Sequence, residues 1–400
     1  MSVLESGTRR AAPRWPLVTA SEMRALDQYT IETLGVPGDL LMESAGRAVA
    51  HEVLRTLDPG EEVVIVCGRG NNGGDGLVVS RQLHLLGVRV RVALLAEPSE
   101  LVGDAARNWQ RAVAAGVSIE GYDWSPPSAG VIVDSVFGTG LSRDVGGPIA
   151  EALVRINICR DAGRTAIIAV DLPSGLCADT GAVLGTAVVA DTTVVLGLPK
   201  LGLALEPARS HAGRVVVARI GIADSAPGVT PRAELWMRST AGQNLPVRAR
   251  AGHKGTFGHA LIAAGSEGKT GAAALAASGA ARAGAGLVTL ACPAGLNDIL
   301  EIKCTEAMTV PVPDTQQRAF AASATEAVVA LAATCGAVGV GPGLGRSVET
   351  QSFVTELAKR LDLPLVIDAD GLLPFAPEPG LLKARTAPTL LTPHPGEAAR

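Results

Sequence analysis

The stretch EEVVIVCGRGNNGGDGLVVSRQLHLLG, Glu61 to Gly87, decides the fold class. Its first part sets four β-branched residues in a row, Val63 to Val66, ahead of a glycine. That pattern marks a short strand buried on both faces. Its last part, LVVSRQLHLLG, reads as a helix closed by Gly87. Between them lies the polar, glycine-rich loop GRGNNGGDG, Gly68 to Gly76. Glycines let a backbone approach an anion closely, and the N-terminus of the following helix favours phosphate. A glycine-rich turn with no ligand is the alternative reading. It leaves Asn71, Asn72 and Asp75 unexplained.

The same strand–helix rhythm extends in both directions. Residues 1–16 read as a frayed tail, and helical patterns cover Ser21–Leu34, with Ser21 as N-cap, and 38–57. Strands are expected at VRVRVALL, GVIVDSVFG, TAIIAVDLPSG, ADTTVVLGL and GRVVVARIGI, with helices over 101–115 and 149–163 between them. Alternation of this kind predicts an α/β fold: a mostly parallel, doubly wound, Rossmann-like sheet in a three-layer αβα sandwich. The pattern breaks over 223–252, which is rich in Pro, Gly and polar residues. We read this as a linker between domains at 17–222 and 253–400.

Composition narrows the function classes. Of 400 residues, 47% are apolar and 18% charged, so a packed core is expected. Only 3% are aromatic, so the cores are aliphatic. A net charge of −4 with no basic run argues against nucleic acid. No apolar window is long enough for a membrane span and no signal-peptide pattern opens the chain. Six cysteines at 67, 159, 177, 292, 304 and 335 form no C-x-x-C pair, which predicts reduced thiols and a cytoplasmic location.

In a doubly wound sheet, ligands sit beyond the carboxyl ends of the strands. Three strands of the first half end there in polar loops: VVIVCGRGNNGGDG, VIVDSVFGTGLSRD and IIAVDLPSGLCADTG. Asp134 and Asp171 each close an apolar strand. A carboxyl so placed is partly desolvated, which suits acid–base work. Taken singly, each reads equally as a cap or turn residue. Asn72, Asp134 and Ser174 together offer hard oxygen ligands with one carboxylate, which suits a weakly charged cation such as K⁺ and not zinc.

Four ordered segments, GDLLMESAGRAVA, CGRGNNGGDGLVVSRQL, VIVDSVFGTGL and VDLPSGLCADTG, resemble the NAD(P)H-hydrate epimerases. The resemblance covers roughly residues 17–222. It implies an enzyme that interconverts the R and S epimers of hydrated NADH or NADPH. It also implies a role for each matching position. Asn71, Asn72, Gly73, Gly74 and Asp75 would bind substrate phosphates, and Gly138, Thr139, Gly140, Leu141, Ser142, Arg143 and Asp144 would contact substrate. Asn72, Asp134 and Ser174 would hold K⁺, and Asp171 would be the acid–base residue.

A second alternation begins after the linker. GHALIAAGS, LVTLACP, GAVGVGPGLG and LPLVIDADGL read as strands, and TGAAALAASGAARAGAG as a small-residue helix that packs closely on a sheet. His394, between prolines in LLTPHPGEAAR, suits a structural role or a site at a strand end. These motifs resemble the ADP- or ATP-dependent NAD(P)H-hydrate dehydratases, whose fold is ribokinase-like. That resemblance implies removal of water from the S epimer, driven by ADP or ATP with Mg²⁺. Ala273, Gly343, Gly345 and His394 would line the hydrate site. The ribokinase-like pattern also has a later G-x-G-D segment, absent here, so we expect a truncated second domain that does not dehydrate by itself.

The sequence therefore points to a bifunctional repair enzyme acting on a small molecule, as a homo-oligomer. Two other readings stay open: a nucleotide-binding scaffold without catalysis, and a ribokinase-like small-molecule kinase in the second half.

Overall fold

The computed structural model describes residues 15–127, 130–163, 165–231, 233–235, 242 and 245–400. It divides into two compact units, residues 1–245 and 246–400.

The first unit is built on a seven-stranded, wholly parallel sheet. In chain order its elements include β1 (Trp15–Leu17), β2 (Glu62–Cys67), β3 (Arg89–Leu94), β4 (Ser118–Glu120), β5 (Gly130–Ser135), β6 (Thr165–Val170), β7 (Thr192–Leu196), β8 (Arg214–Ala218) and β9 (Ala233–Leu235). The strand order is β4-β3-β2-β5-β6-β7-β8. Successive strands run outward from β2 in one direction as far as β4, then in the other from β5. The crevice between β2 and β5 is thus the switch point at which such sheets bind ligands.

The run Val63 to Val66 lies at the centre of this sheet, with every member fully buried. Val63 and Ile65 pack into one cluster with helix Gly38–Thr56, whereas Val64 and Val66 pack into another with helix Gly147–Asp161. The period of two along the strand thus fills both outer layers of the sandwich. Each such side chain contributes about 1.5–3 kcal/mol of burial energy.

The quoted stretch differs from its reading at one boundary. The helix begins at Asn71 and runs to Leu85, so most of the glycine-rich segment is helical. Glycine is costly in a helix, and packing explains its use. A Cβ on Gly73 would lie 1.8 Å from the Gly68 carbonyl oxygen, and one on Gly76 would lie 2.6 Å from Ser135 Oγ. These residues let the helix sit directly on the β2 and β5 strand ends. Gly73→Ala is therefore expected to destabilise the unit by several kcal/mol. A thermal melt within ~2 °C of wild type, a shift of at most about 1 kcal/mol, would contradict this packing account.

Two further differences concern the ends of the unit. The first helix spans Ala20–Gln28 and is capped by Thr19, not Ser21, because Thr19 and Glu22 form a reciprocal capping box. Within the expected tail, residues 1–14 lie outside the described residues, but Trp15–Leu17 form β1. β1 pairs antiparallel with β9, which lies inside the 223–252 stretch. Residues 232, 236–241 and 243–244 of that stretch lie outside the described residues.

The second unit repeats the plan with six parallel strands. They are β10 (His259–Ala263), β11 (Leu287–Pro293), β12 (Met308–Val312), β13 (Ala337–Val340), β14 (Leu365–Ile367) and β15 (Thr389–Leu391), ordered β12-β11-β10-β13-β14-β15. The switch point lies between β10 and β13. The alanine-rich helix Thr270–Ala283 buries Ala273 and Ala277 and ends at Gly284 in the left-handed region. Its small side chains pack into a cluster with Val288 and Leu290 of β11.

Candidate active site

A cleft of about 860 Å³ opens at the β2/β5 switch point of the first unit. Three strand ends supply its polar wall, as the loops after β2, β5 and β6 suggested.

After β2, Gly70 caps the helix with its backbone only and no acidic residue stands in the first turn. The first intrahelical bond from this end is Gly74 N–H to the Gly70 carbonyl, so the amides ahead of it are available to an anion. Gly70, Asn71, Asn72 and Asp75 line the cleft. Gly73 and Gly74 do not; they are buried in packing.

After β5, Gly138 to Arg143 form another wall. Asp144 turns instead into an adjoining cleft of about 420 Å³. Beneath these walls, Asp134 and Ser174 are fully buried and bonded to one another. Ser174 Oγ donates to Asp134 Oδ1 at 2.6 Å, and the Ser174 amide donates to Oδ2 at 2.7 Å. Burial lifts the Asp134 carboxyl to about 6, against the lowering effect of the Ser174 bonds. The Asn72 side chain lies against Gly138, and its Nδ2 is buried without a partner.

After β6, Asp171 adopts φ = 67°, a left-handed conformation rare outside glycine. This turn points its carboxyl back into the cleft, 8% exposed. Its Oδ1 accepts a bond from Leu196 N at 3.0 Å and a short bond from Lys200 Nζ. Lys200 is 1% exposed, and Nζ also donates to the Leu196 carbonyl at 3.0 Å. Sequence reasoning missed Lys200. The available signal was a single cation in the apolar run VVLGLPKLGLAL after β7. It also missed that Gly68, Gly70 and Gly73 have the G-x-G-x-x-G spacing of dinucleotide-binding turns.

In the second unit, the loops after β10, β13 and β14 meet at Asp370. It accepts bonds from Lys269 Nζ at 2.7 Å, Gly345 N at 3.0 Å and Arg346 Nε at 3.2 Å. Burial raises its pKa, but these donors outweigh that and leave it below the usual carboxylate range. Gly343 and Gly345 have φ of 65° and 88°, and the Gly343 carbonyl accepts Ser266 Oγ at 2.8 Å. Ala273 is fully buried. His394 is exposed and caps the short helix Pro395–Ala398, its Nδ1 accepting the Gly396 amide at 3.1 Å.

Comparison with known proteins accounts for both units. Residues 38–202 match the family model described as YjeF-related protein N-terminus, and residues 260–400 match that of NAD(P)H-hydrate dehydratase. The chain is 40% identical over 401 residues to the bifunctional NAD(P)H-hydrate repair enzyme Nnr of Moorella thermoacetica, covering 96% of this chain and 74% of the relative. The chain belongs to the bifunctional NAD(P)H-hydrate repair enzymes. The repair enzyme of Salinibacter ruber is likewise 40% identical, with 96% and 75% of the two chains covered. The NAD(P)H-hydrate epimerase of Limosilactobacillus reuteri strain ATCC 55730 is 42% identical over 205 residues, covering 50% of this chain and 94% of its own. Both parts of this repair enzyme are α/β units, each built on a parallel sheet. All six of its cysteines are free, and no helix among the described residues is long and apolar enough to cross a membrane.

Proposed function

We propose that the first unit interconverts the R and S epimers of hydrated NADH or NADPH, and that the second belongs to a dehydratase that acts on the S epimer with ADP or ATP and Mg²⁺. One observation carries the epimerase reading: Asp171, held by buried Lys200, faces the same cleft as an uncapped helix N-terminus. The helix amides at Gly70 to Asn72 receive the substrate's phosphates. The loop Gly138 to Arg143 borders the rest of the substrate. The hydrated carbon carries a hydroxyl beside a ring nitrogen, so loss of water leaves an iminium-like cation. Asp171 faces that cation and takes the proton of the water that returns.

The Asp134–Ser174–Asn72 cluster fits a K⁺ ion. It offers neutral oxygens around one carboxylate, and Asn72 keeps a buried amide without a partner. An exchange of the Asn72 amide's O and N would turn oxygen toward that position. Bound there, K⁺ would offset the buried charge of Asp134 and fix the loop that carries Gly138.

We assign residues 17–222 to the epimerase domain, 223–252 to a linker and 253–400 to the dehydratase part, in a cytoplasmic homo-oligomer. The order suits the chemistry, because the first domain supplies the epimer that the second consumes.

The test starts from one resolved epimer of hydrated NADH and follows the other by chromatography. The purified chain is expected to bring the two to equilibrium faster than protein-free buffer, and faster in K⁺ than in tetramethylammonium. Interconversion at the protein-free rate would refute the epimerase reading.

A further inference from the structure

We infer that Asp75 is a second catalytic group of this site, a neutral carboxylic acid that gives its proton to the departing hydroxyl. The inference rests on the epimerase reading above and adds a residue to it.

Asp75 stands in the second turn of the helix that begins at Asn71. It lines the cleft together with Asp171 and Lys200, and is only 9% exposed. Of the four aspartates that line the cleft, Asp75 and Asp171 are the buried ones, and they share it with one buried cation, which is bonded to Asp171. Asp75 accepts no hydrogen bond and forms no ion pair among the described residues. A phosphate contact is the wrong role for such a group, because a carboxylate repels phosphate and the helix amides already serve it.

The surroundings decide which carboxyl keeps a proton. Asp171 faces Asp75 from the end of β6, Asp27 from helix Ala20–Gln28 and Lys200 from beyond β7, with Cys67 of β2 behind. Burial first, then the charges of Asp171 and Asp27, push Asp75 well above the ordinary carboxylate range, with Lys200 opposing. The Cys67 thiol is pushed up as well, by burial and then by Asp75, so it supplies no charge. Asp75, pushed up and without a partner, and Asp171, bonded to Lys200, are suited to opposite roles, one acid and one base.

The step balances as follows. The Asp75 proton passes to the substrate hydroxyl, the C–O bond breaks, and its electron pair leaves with water. The ring-nitrogen lone pair forms the C=N bond of the cation, which Asp171 faces. A water then adds to the opposite face of that carbon, the C=N pair returns to nitrogen, and the released proton goes to Asp171. Exchange through solvent returns that proton to Asp75. One water leaves, one enters, and nothing is oxidised.

The test compares wild type and Asp75→Asn in the full chain. An acid role predicts a fall in kcat of ~10²–10³-fold with KM changed by less than about threefold. It also predicts that the wild-type kcat/KM declines as pH rises through the raised Asp75 pKa, and that this limb is missing in the variant. A raised KM with unchanged kcat would make Asp75 a binding residue and overturn the proposal, as would an unchanged kcat. The wild-type profile needs no variant to fold, and a wild-type kcat/KM with no alkaline decline anywhere in the range where the protein stays folded would overturn the proposal by itself. An inactive wild type would remove the epimerase reading, whereas an active wild type with an equally active Asp75→Asn would remove this inference alone.

Discussion

Asp171→Asn is expected to slow interconversion of the R and S epimers by ~10²–10⁴-fold, the usual contribution of a positioned acid–base group. The variant is informative because it preserves the backbone. Asp171 holds φ = 67°, a conformation that asparagine adopts as readily as aspartate. The Leu196 amide and Lys200 Nζ can both still donate to the side-chain oxygen, as they do in the wild type. The variant loses the negative charge that faces the cation and the ability to take up a proton. In the proposed site the helix amides and the Gly138–Arg143 loop hold the substrate, so KM should change little. Chromatography of the two epimers, beside a thermal melt to verify folding, is the measurement. A folded Asp171→Asn protein with wild-type turnover would move the acid–base role to another residue.

The site was legible where chemistry coincides with a strand end. Val63 to Val66 could only be a buried central strand, and the loops after it, after Val133 and after Val170 had to emerge at one edge of a parallel sheet. The residues that stayed hidden depend on contacts distant in sequence. Lys200 looks like a loop lysine until β7 brings it under Asp171, 29 positions earlier. Asp75 read as a phosphate contact in a glycine-rich loop, because nothing local shows that Gly73 and Gly76 let the helix settle onto the sheet. The pairing of β1 with β9 joins segments more than 200 residues apart, and no short-range pattern encodes it. His394 shows that one residue can fit both readings: its Nδ1 caps the helix Pro395–Ala398, and its ring stays exposed at the end of β15.

Lys200→Met should cost about 3 kcal/mol of stability, near the lower end of what breaking a buried ion pair costs. Lys200 is 1% exposed, and its ammonium has two acceptors, Asp171 Oδ1 and the Leu196 carbonyl. Methionine fills a similar volume, so the loss is electrostatic and not a cavity effect. The Asp171 carboxylate would remain 8% exposed with the Leu196 amide as its one donor. The open cleft beside it moderates that cost, since water can reach the carboxylate there. If the pair is the cause, adding Asp171→Asn should recover a large part of the loss, because the double variant leaves no unpaired buried charge. Additive losses in urea melts of the two single variants and the double variant would mean that the two side chains are not coupled. A coupling of ~1 kcal/mol or more, together with loss of epimerase turnover in Lys200→Met, would make Lys200 both a support of the fold and the group that positions Asp171 in the cleft.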